Sequence, residues 1–339
     1  MSLNLVNPFM KFASGGGGAA SALNWEKLGD DIASHGDDTM EVSVSDYQYY
    51  LLLGHCMKNG AINAKLRFND DSSSNYAYTS YANGGVKFES APDSRIDLYR
   101  DTDDKFFMAY IDNTQEDVKQ VISKDMENTD TGSGDTPVRD QTVGKYVPSS
   151  NTSITKINVF NDNSGSFTTG SEILVLGADE NVTASSAWEL LGEQDVGGAG
   201  ANIDIDIDPK KYLWIQAYNV DNGTGDVNML FNDSTSGYAE RYSDNFGSDA
   251  TNGNMGGISS NYGALAGNTW HNYFVENFDG YQKQVMYTYG IDAGASGTAP
   301  DTLNAVGKWT GTSQISNVKI SVGGGNFGDG SFCRIWGCE

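Results

Sequence analysis

Chemistry needs reactive side chains brought together, and this sequence offers few that its spacing unites. The three histidines, His35, His55 and His271, are scattered, and none belongs to a Ser-His-Asp order or a His-Glu-x-x-His pattern. The three cysteines, Cys56, Cys333 and Cys338, make no Cys-x-x-Cys pair, and an odd number without a framework predicts free thiols. Carboxylates are abundant, at 45 Asp plus Glu. A glycosidase needs two of them about 5–10 Å apart in a cleft, and no pair singles itself out. Most sit in turn clusters such as "NDDSSSN", "NDNSGS" and "VDNGTGD", where Asp and Asn cap backbone N–H groups. The loops "FNDDSSSN" (Asn69, Asp70, Asp71) and "FNDS" (Asn232, Asp233) carry oxygens that a hard cation would take. Neither follows the Asp-x-Asp-x-Asp-Gly spacing with a distal Glu. The expectation is a protein that is not an enzyme, with no catalytic residue, metal or cofactor.

Charge narrows the partners. Lys plus Arg number 21 against those 45 acids, a formal net charge of −24. A chain this acidic lacks the basic face that nonspecific binding to nucleic acid or an anionic membrane requires. No apolar run approaches the ~18 residues of a membrane-spanning helix. The opening "MSLNLVNPFMKF" lacks a cationic start, an apolar stretch and a small-residue cleavage site, so no secretion signal is expected.

The elements that must position these residues are written twice. "NWEKLG" (Trp25, Leu28, Gly29) returns as "AWELLG" (Trp188, Leu191, Gly192), an offset of 163. Val42 and Val44 answer Ile205 and Ile207, and Tyr49 answers Tyr212. Phe68-Asn69-Asp70 with Tyr76 answers Phe231-Asn232-Asp233 with Tyr238. "KQV" at 119 and 283, "VGKY" at 143 and "VGKW" at 306, and "SGSFTTGSEILVLG" against "GGNFGDGSFCRIWG" keep the same order. Similarity held in one order at one spacing predicts an internal duplication, with a domain over 18–182 and its copy over 183–339.

Within each copy the apolar period is two. "ANIDIDID" turns Ile203, Ile205 and Ile207 one way and their aspartates the other, the mark of a half-buried strand. "YYLLLGHC", "YLWIQAYNV", "KINVF" and "EILVLG" are short apolar runs suited to a sandwich core. Short strands separated by turn clusters predict an all-β fold: two tandem antiparallel β-sandwich or jelly-roll domains. The segments from Lys119 and Lys283 are read as strands. In the repeated corner, Phe68 and Phe231 end a strand facing the core, the Asn-Asp pairs open a turn, and Tyr76 and Tyr238 enter the next strand. Ahead of the first copy, "SGGGGAA" at 14–20 reads as a flexible tether. Residues 1–17 then form an arm whose Leu3, Leu5, Val6, Phe9, Met10 and Phe12 can dock on a neighbouring subunit.

"LRFND" followed by a polar turn and "NY" resembles a pattern of tailed-bacteriophage virion structural proteins. So do the domain ending "ITKINV…SGSFTTGSEILVLG" and the opening "NPFMKFASGGG". The similarity runs from Trp25 to Gly177 and from Trp188 to Gly337. It departs from the pattern's Leu-Tyr-Gly ending, with Val175 to Gly177 and Ile335 to Gly337 in its place. The resemblance implies a virion protein, made in the host cytoplasm and without catalytic residues: a capsid decoration (cement) or head-fibre subunit. Its partners would be the capsid protein and copies of itself, a trimer being the expected homo-oligomer. One alternative is a tail appendage binding a host glycan through Tyr47, Tyr50, Tyr76, Tyr78, Tyr81, Tyr238 and Tyr242. The other is a double-jelly-roll major capsid protein.

Overall fold

A computed structural model describes residues 25–98, 104–114, 117–128, 132–150, 152–179, 187–198, 200, 202–222, 226–245, 247–259, 268–292, 301–323 and 325–339. The expected arm and its tether lie wholly within residues 1–24, outside the described residues. Among the described residues the fold is all-β and antiparallel, 63% strand with no helix.

The N-terminal half holds β1 (Glu26–Ile32), β2 (Thr39–Ser43), β3 (Tyr49–Cys56), β4 (Lys58–Asn59), β5 (Ala64–Phe68), β6 (Tyr76–Ala82), β7 (Val86–Asp93), β8 (Ile96–Asp97), β9 (Asp104–Asp112), β10 (Lys119–Asn128), β11 (Val138–Tyr146), β12 (Lys156–Asn161), β13 (Ser166–Phe167) and β14 (Glu172–Ala178). The C-terminal half holds β15 (Glu189–Asp195), β16 (Asn202–Asp206), β17 (Tyr212–Asn219), β18 (Asp221–Asn222), β19 (Asp226–Phe231), β20 (Tyr238–Asp244), β21 (Ala250–Met255), β22 (Ile258–Ser259), β23 (Asn268–Glu276), β24 (Lys283–Asp292), β25 (Asp301–Trp309), β26 (Asn317–Gly323), β27 (Asn326–Phe327) and β28 (Phe332–Cys338).

One eight-stranded sheet runs β1-β14-β3-β9-β10-β11-β6-β7 and the other β15-β28-β17-β23-β24-β25-β20-β21. Their four-stranded companions run β2-β12-β5-β8 and β16-β26-β19-β22. Strand for strand, the same order is laid down twice. Even the irregularity of the first edge recurs: the register of β1 shifts between Lys27 and Gly29, that of β15 between Leu190 and Gly192. At both shifts a Cβ on the glycine would press on an aliphatic chain of the facing sheet, Val42 for Gly29 and Ile205 for Gly192. The doubled Leu-Gly thus lets each edge close over its core.

In each half the small sheet packs on the inner face of the large one. Met40, Val42, Leu66, Phe68, Ile157 and Val159 meet Tyr50, Leu52, Phe107, Ile111, Val121 and Val175. Ile203, Ile205, Phe231, Val318 and Ile320 meet Leu213, Ile215, Val275, Val285 and Ile335. A third cluster joins the halves. The outer face of one large sheet (Leu51, Leu53, Phe106, Met108, Met126, Leu174, Leu176) packs on that of the other (Tyr212, Trp214, Phe274, Met286, Val306, Trp336), with Trp25 and Trp188 among them. The layers therefore run four, eight, eight, four strands. Both large sheets are buried on two faces at their centres, which explains why β3 and β14 are continuous apolar runs while β2 and β16 alternate.

Candidate functional site

The repeated corner is built identically in both halves. Asn69 and Asp70 hold φ of 54° and 56°, and Asn232 and Asp233 hold 50° and 56°. Two successive left-handed residues reverse the chain, and Asn and Asp tolerate that conformation best among residues with a side chain. Asn69 Oδ1 accepts from the N–H groups of Thr155 (2.8 Å) and Lys156 (3.1 Å), while its Nδ2 donates to Ser153 O (2.9 Å). Asn232 does the same with Ser316 (2.9 Å), Asn317 (3.1 Å) and Gln314 O (2.9 Å). The amide side chain thereby ties the corner to the strand entering the small sheet. The Tyr76 hydroxyl accepts from Phe68 N (3.0 Å) and that of Tyr238 from Phe231 N (2.8 Å). Asp70 faces Lys156 at 3.1 Å and Asp233 faces Lys319 at 3.4 Å. The second acid of the first corner, Asp71, accepts from Ser73 N, Asn75 Nδ2 and Tyr146 Oη, and these bonds hold its carboxyl below the usual range against the opposing effect of burial. Asn69, Asp70, Asp71, Asn232 and Asp233 thus each have a side-chain oxygen partnered within the turn or its neighbouring strand.

Of the tyrosines considered for sugar stacking, Tyr50, Tyr76, Tyr78 and Tyr238 are buried in the cores. Tyr47 is half-buried with its hydroxyl bonded to Glu26, and Tyr242 is half-buried, leaving Tyr81 as the exposed ring. Inward-facing positions on β6 and β20 bury Tyr76, Tyr78 and Tyr238.

Two of the three histidines, His55 and His271, and the three cysteines are likewise buried. His271 is fully buried, with Nε2 2.8 Å from Thr269 Oγ1 and Nδ1 3.0 Å from Tyr273 Oη; burial pushes its pKa down to about 3, so it stays neutral. His55 reaches across the junction between halves. Its Nδ1 is 2.5 Å from Glu276 Oε1 and its ring stacks on Phe278 at 4.4 Å. Burial raises the thiols of Cys333 and Cys338 to about 12, which suppresses the thiolate that any nucleophile or metal ligand would need. His35 is exposed. Among the described residues no group of three His, Cys, Asp or Glu side chains is placed to hold a metal ion.

What the sequence reading missed is the junction. Lys124 Nζ donates to Asn304 Oδ1 (2.8 Å) and Lys308 Nζ to Asn128 Oδ1 (3.0 Å), while Asn128 Nδ2 reaches Gln282 (3.0 Å). Arg139 grips Asp249 with two nitrogens (2.6 and 3.2 Å), and Arg241 donates to Pro137 O (2.7 Å). Lys211 meets Glu172 at 2.6 Å. The sole signal for this surface was the loss of alternation in β3 and β14, which fits a buried strand of any origin.

No family model matches the chain, and no curated protein matches it. Among solved structures it is similar to human GIVD cytosolic phospholipase A2, at 8% identity over 78% of this chain and 33% of that one, with a TM-score of 0.13. The same enzyme in complex with methyl gamma-linolenyl fluorophosphonate gives 8% identity, 83% and 33% coverage and a TM-score of 0.12. The chain spans about a third of these proteins' length, and likeness at this level carries neither fold nor function.

Proposed function

We propose that this chain is a virion structural protein of a tailed bacteriophage, built from two tandem jelly-roll domains and serving as a capsid decoration or head-fibre subunit. The observation that carries this reading is the strand order. Taken along the chain, β1, β2, β3, β5, β8, β9, β12 and β14 fall into two facing four-strand arrays, β1-β14-β3-β9 and β2-β12-β5-β8, switching arrays at every step but β5 to β8. That is the arrangement of an eight-stranded jelly roll with its paired Greek keys, an architecture common in viral capsids. The pairs β6–β7 and β10–β11 are additions that widen one sheet, and the C-terminal half repeats the whole plan. The resemblance of the corner and domain-end motifs to phage virion proteins, the formal −24 charge, and reactive groups buried in cores all suit a part that faces solvent and binds its neighbours without altering them.

In this reading residues 1–17 anchor a homotrimer to the capsid protein. A double-jelly-roll major capsid protein is the second reading, favoured by the face-to-face packing of the two large sheets into one block. Burial of four of the seven candidate tyrosines weighs against a glycan-binding appendage. The test is quantitative peptide mass spectrometry with cryo-electron microscopy of purified source particles. Multiple copies on the outer capsid surface are expected. Absence from the particles would overturn the proposal, and shells formed by the purified protein alone would favour the second reading over decoration.

A further inference from the structure

On the inner face of the first large sheet, β9 and β10 pair with Lys105 directly opposite Glu127. Lys105 is 0% and Glu127 1% exposed, and Nζ lies 2.8 Å from Oε2. Two residues before Glu127 on the same strand face stands Asp125, 1% exposed, with neither carboxylate oxygen hydrogen-bonded. Its cross-strand neighbour on β11 is Asp140, a second buried acid. One ammonium thus stands among three carboxylates in a site walled by Phe107 and the apolar core.

We propose that Lys105 and Glu127 condense spontaneously to an isopeptide bond, with Asp125 relaying the protons. A buried ion pair with surplus acid is costly to keep charged, because low dielectric penalises each ion. Passing one proton from the Lys105 ammonium to the Glu127 carboxylate leaves a neutral amine against a carboxylic acid, the reactive pair. Burial first, and the charge of Asp140 second, push the Asp125 carboxyl well above the usual carboxylate range, which favours its protonated form. The amine lone pair attacks Glu127 Cδ, and Nζ–Cδ forms. Asp125 gives its proton to the departing hydroxyl and recovers one from Nζ as the Cδ–O bond breaks. Amine plus acid become amide plus one water; nothing is oxidised or reduced. Fixed strand register supplies the proximity that makes such a step effectively unimolecular.

The second half provides an internal comparison. The cross-strand pair at the matching register is Thr269 and Ile291, and Tyr289 stands where Asp125 does, so the same site there has no amine or carboxyl to join. The link would be peculiar to the N-terminal half and would tie β9 to β10 covalently, a property suited to a particle component but independent of where the protein resides.

The experiment is intact-mass measurement of the full chain under denaturing conditions, followed by peptide mapping. The expected result is a species lighter by one water, with the loss mapped to a branched peptide joining Lys105 to Glu127. Lys105→Arg and Asp125→Asn chains should keep the full mass. Circular dichroism matching that of the unsubstituted chain shows that they fold. An unsubstituted chain at full mass after prolonged incubation of folded protein overturns the proposal, as does a water loss mapped elsewhere. A lighter Asp125→Asn chain overturns the role given to Asp125.

Discussion

Asn69 and its twin Asn232 offer the most incisive test of why the corner is written twice. Replacing Asn69 with Ala removes two things. A residue with Cβ and no local hydrogen bond is strained at a φ of 54°, by about 1–2 kcal/mol. The change also deletes the side-chain bonds to Thr155 N, Lys156 N and Ser153 O. Each is worth about 0.5–1.5 kcal/mol, and the lower half of that range applies because Thr155 is exposed and water replaces part of the loss. The sum is about 3 kcal/mol for Asn69→Ala. Asn69→Gly relieves the backbone and isolates the hydrogen bonds, at about 2 kcal/mol. Because Asn232 makes the same bonds to Ser316, Asn317 and Gln314, its two variants should match those of Asn69. The corners share no partner, so the double Ala variant should be additive to within about 0.5 kcal/mol. Urea unfolding followed by circular dichroism and tryptophan fluorescence reads these values. Asn69→Ala costing under about 0.5 kcal/mol, or Gly and Ala variants of equal stability, would refute the assigned roles.

Tyr76→Phe and Tyr238→Phe each leave a buried N–H, of Phe68 or Phe231, without its acceptor, and each should lose about 1–3 kcal/mol in the same assay. The junction should impose a pH dependence. Burial, then the nearby Arg139, lowers Lys124 from 10.5 to about 7, so the folded chain sheds a proton that the unfolded chain keeps up to about 10.5. Stability therefore contains a contribution that rises between pH 7 and 10.5 and is flat below 7; Lys124→Met should remove that slope from the melting temperature against pH. On the acid side, His271 is held neutral to about 3 while the unfolded chain protonates near 6.5, so its contribution falls as pH drops from 6.5 towards 3. A His271→Gln chain should show a shallower acid limb over that window.

The strand content, the turn chemistry and the doubling were legible in the residues themselves. Alternation in "ANIDIDID" placed Ile203 and Ile205 inward because the strand period is two, and β16 buries both. The Asn-Asp pairs announced a turn because their side chains tolerate and cap left-handed backbone, as the φ values of Asn69, Asp70, Asn232 and Asp233 show. The tyrosines were less legible. Tyr78 and Tyr81 are alike in composition and lie three positions apart, yet one is buried and the other 46% exposed, since their strand faces differ. The buried acids were hidden for a related reason. Nothing local separates Asp125 from a solvated turn aspartate until β9 and β11 flank it.

By itself, then, the sequence determined what short-range physics can determine: where the chain alternates, where it must turn, and that it does both twice in one order. Tertiary structure alone decided that the outer faces of the two large sheets meet. Leu51, Leu53, Leu174 and Leu176 encode only a second apolar face, and an apolar face is satisfied by any apolar partner. Trp214, Phe274 and Trp336 became that partner because hydrophobic burial has no direction of its own, and only the assembled sheets set which surfaces stand opposite.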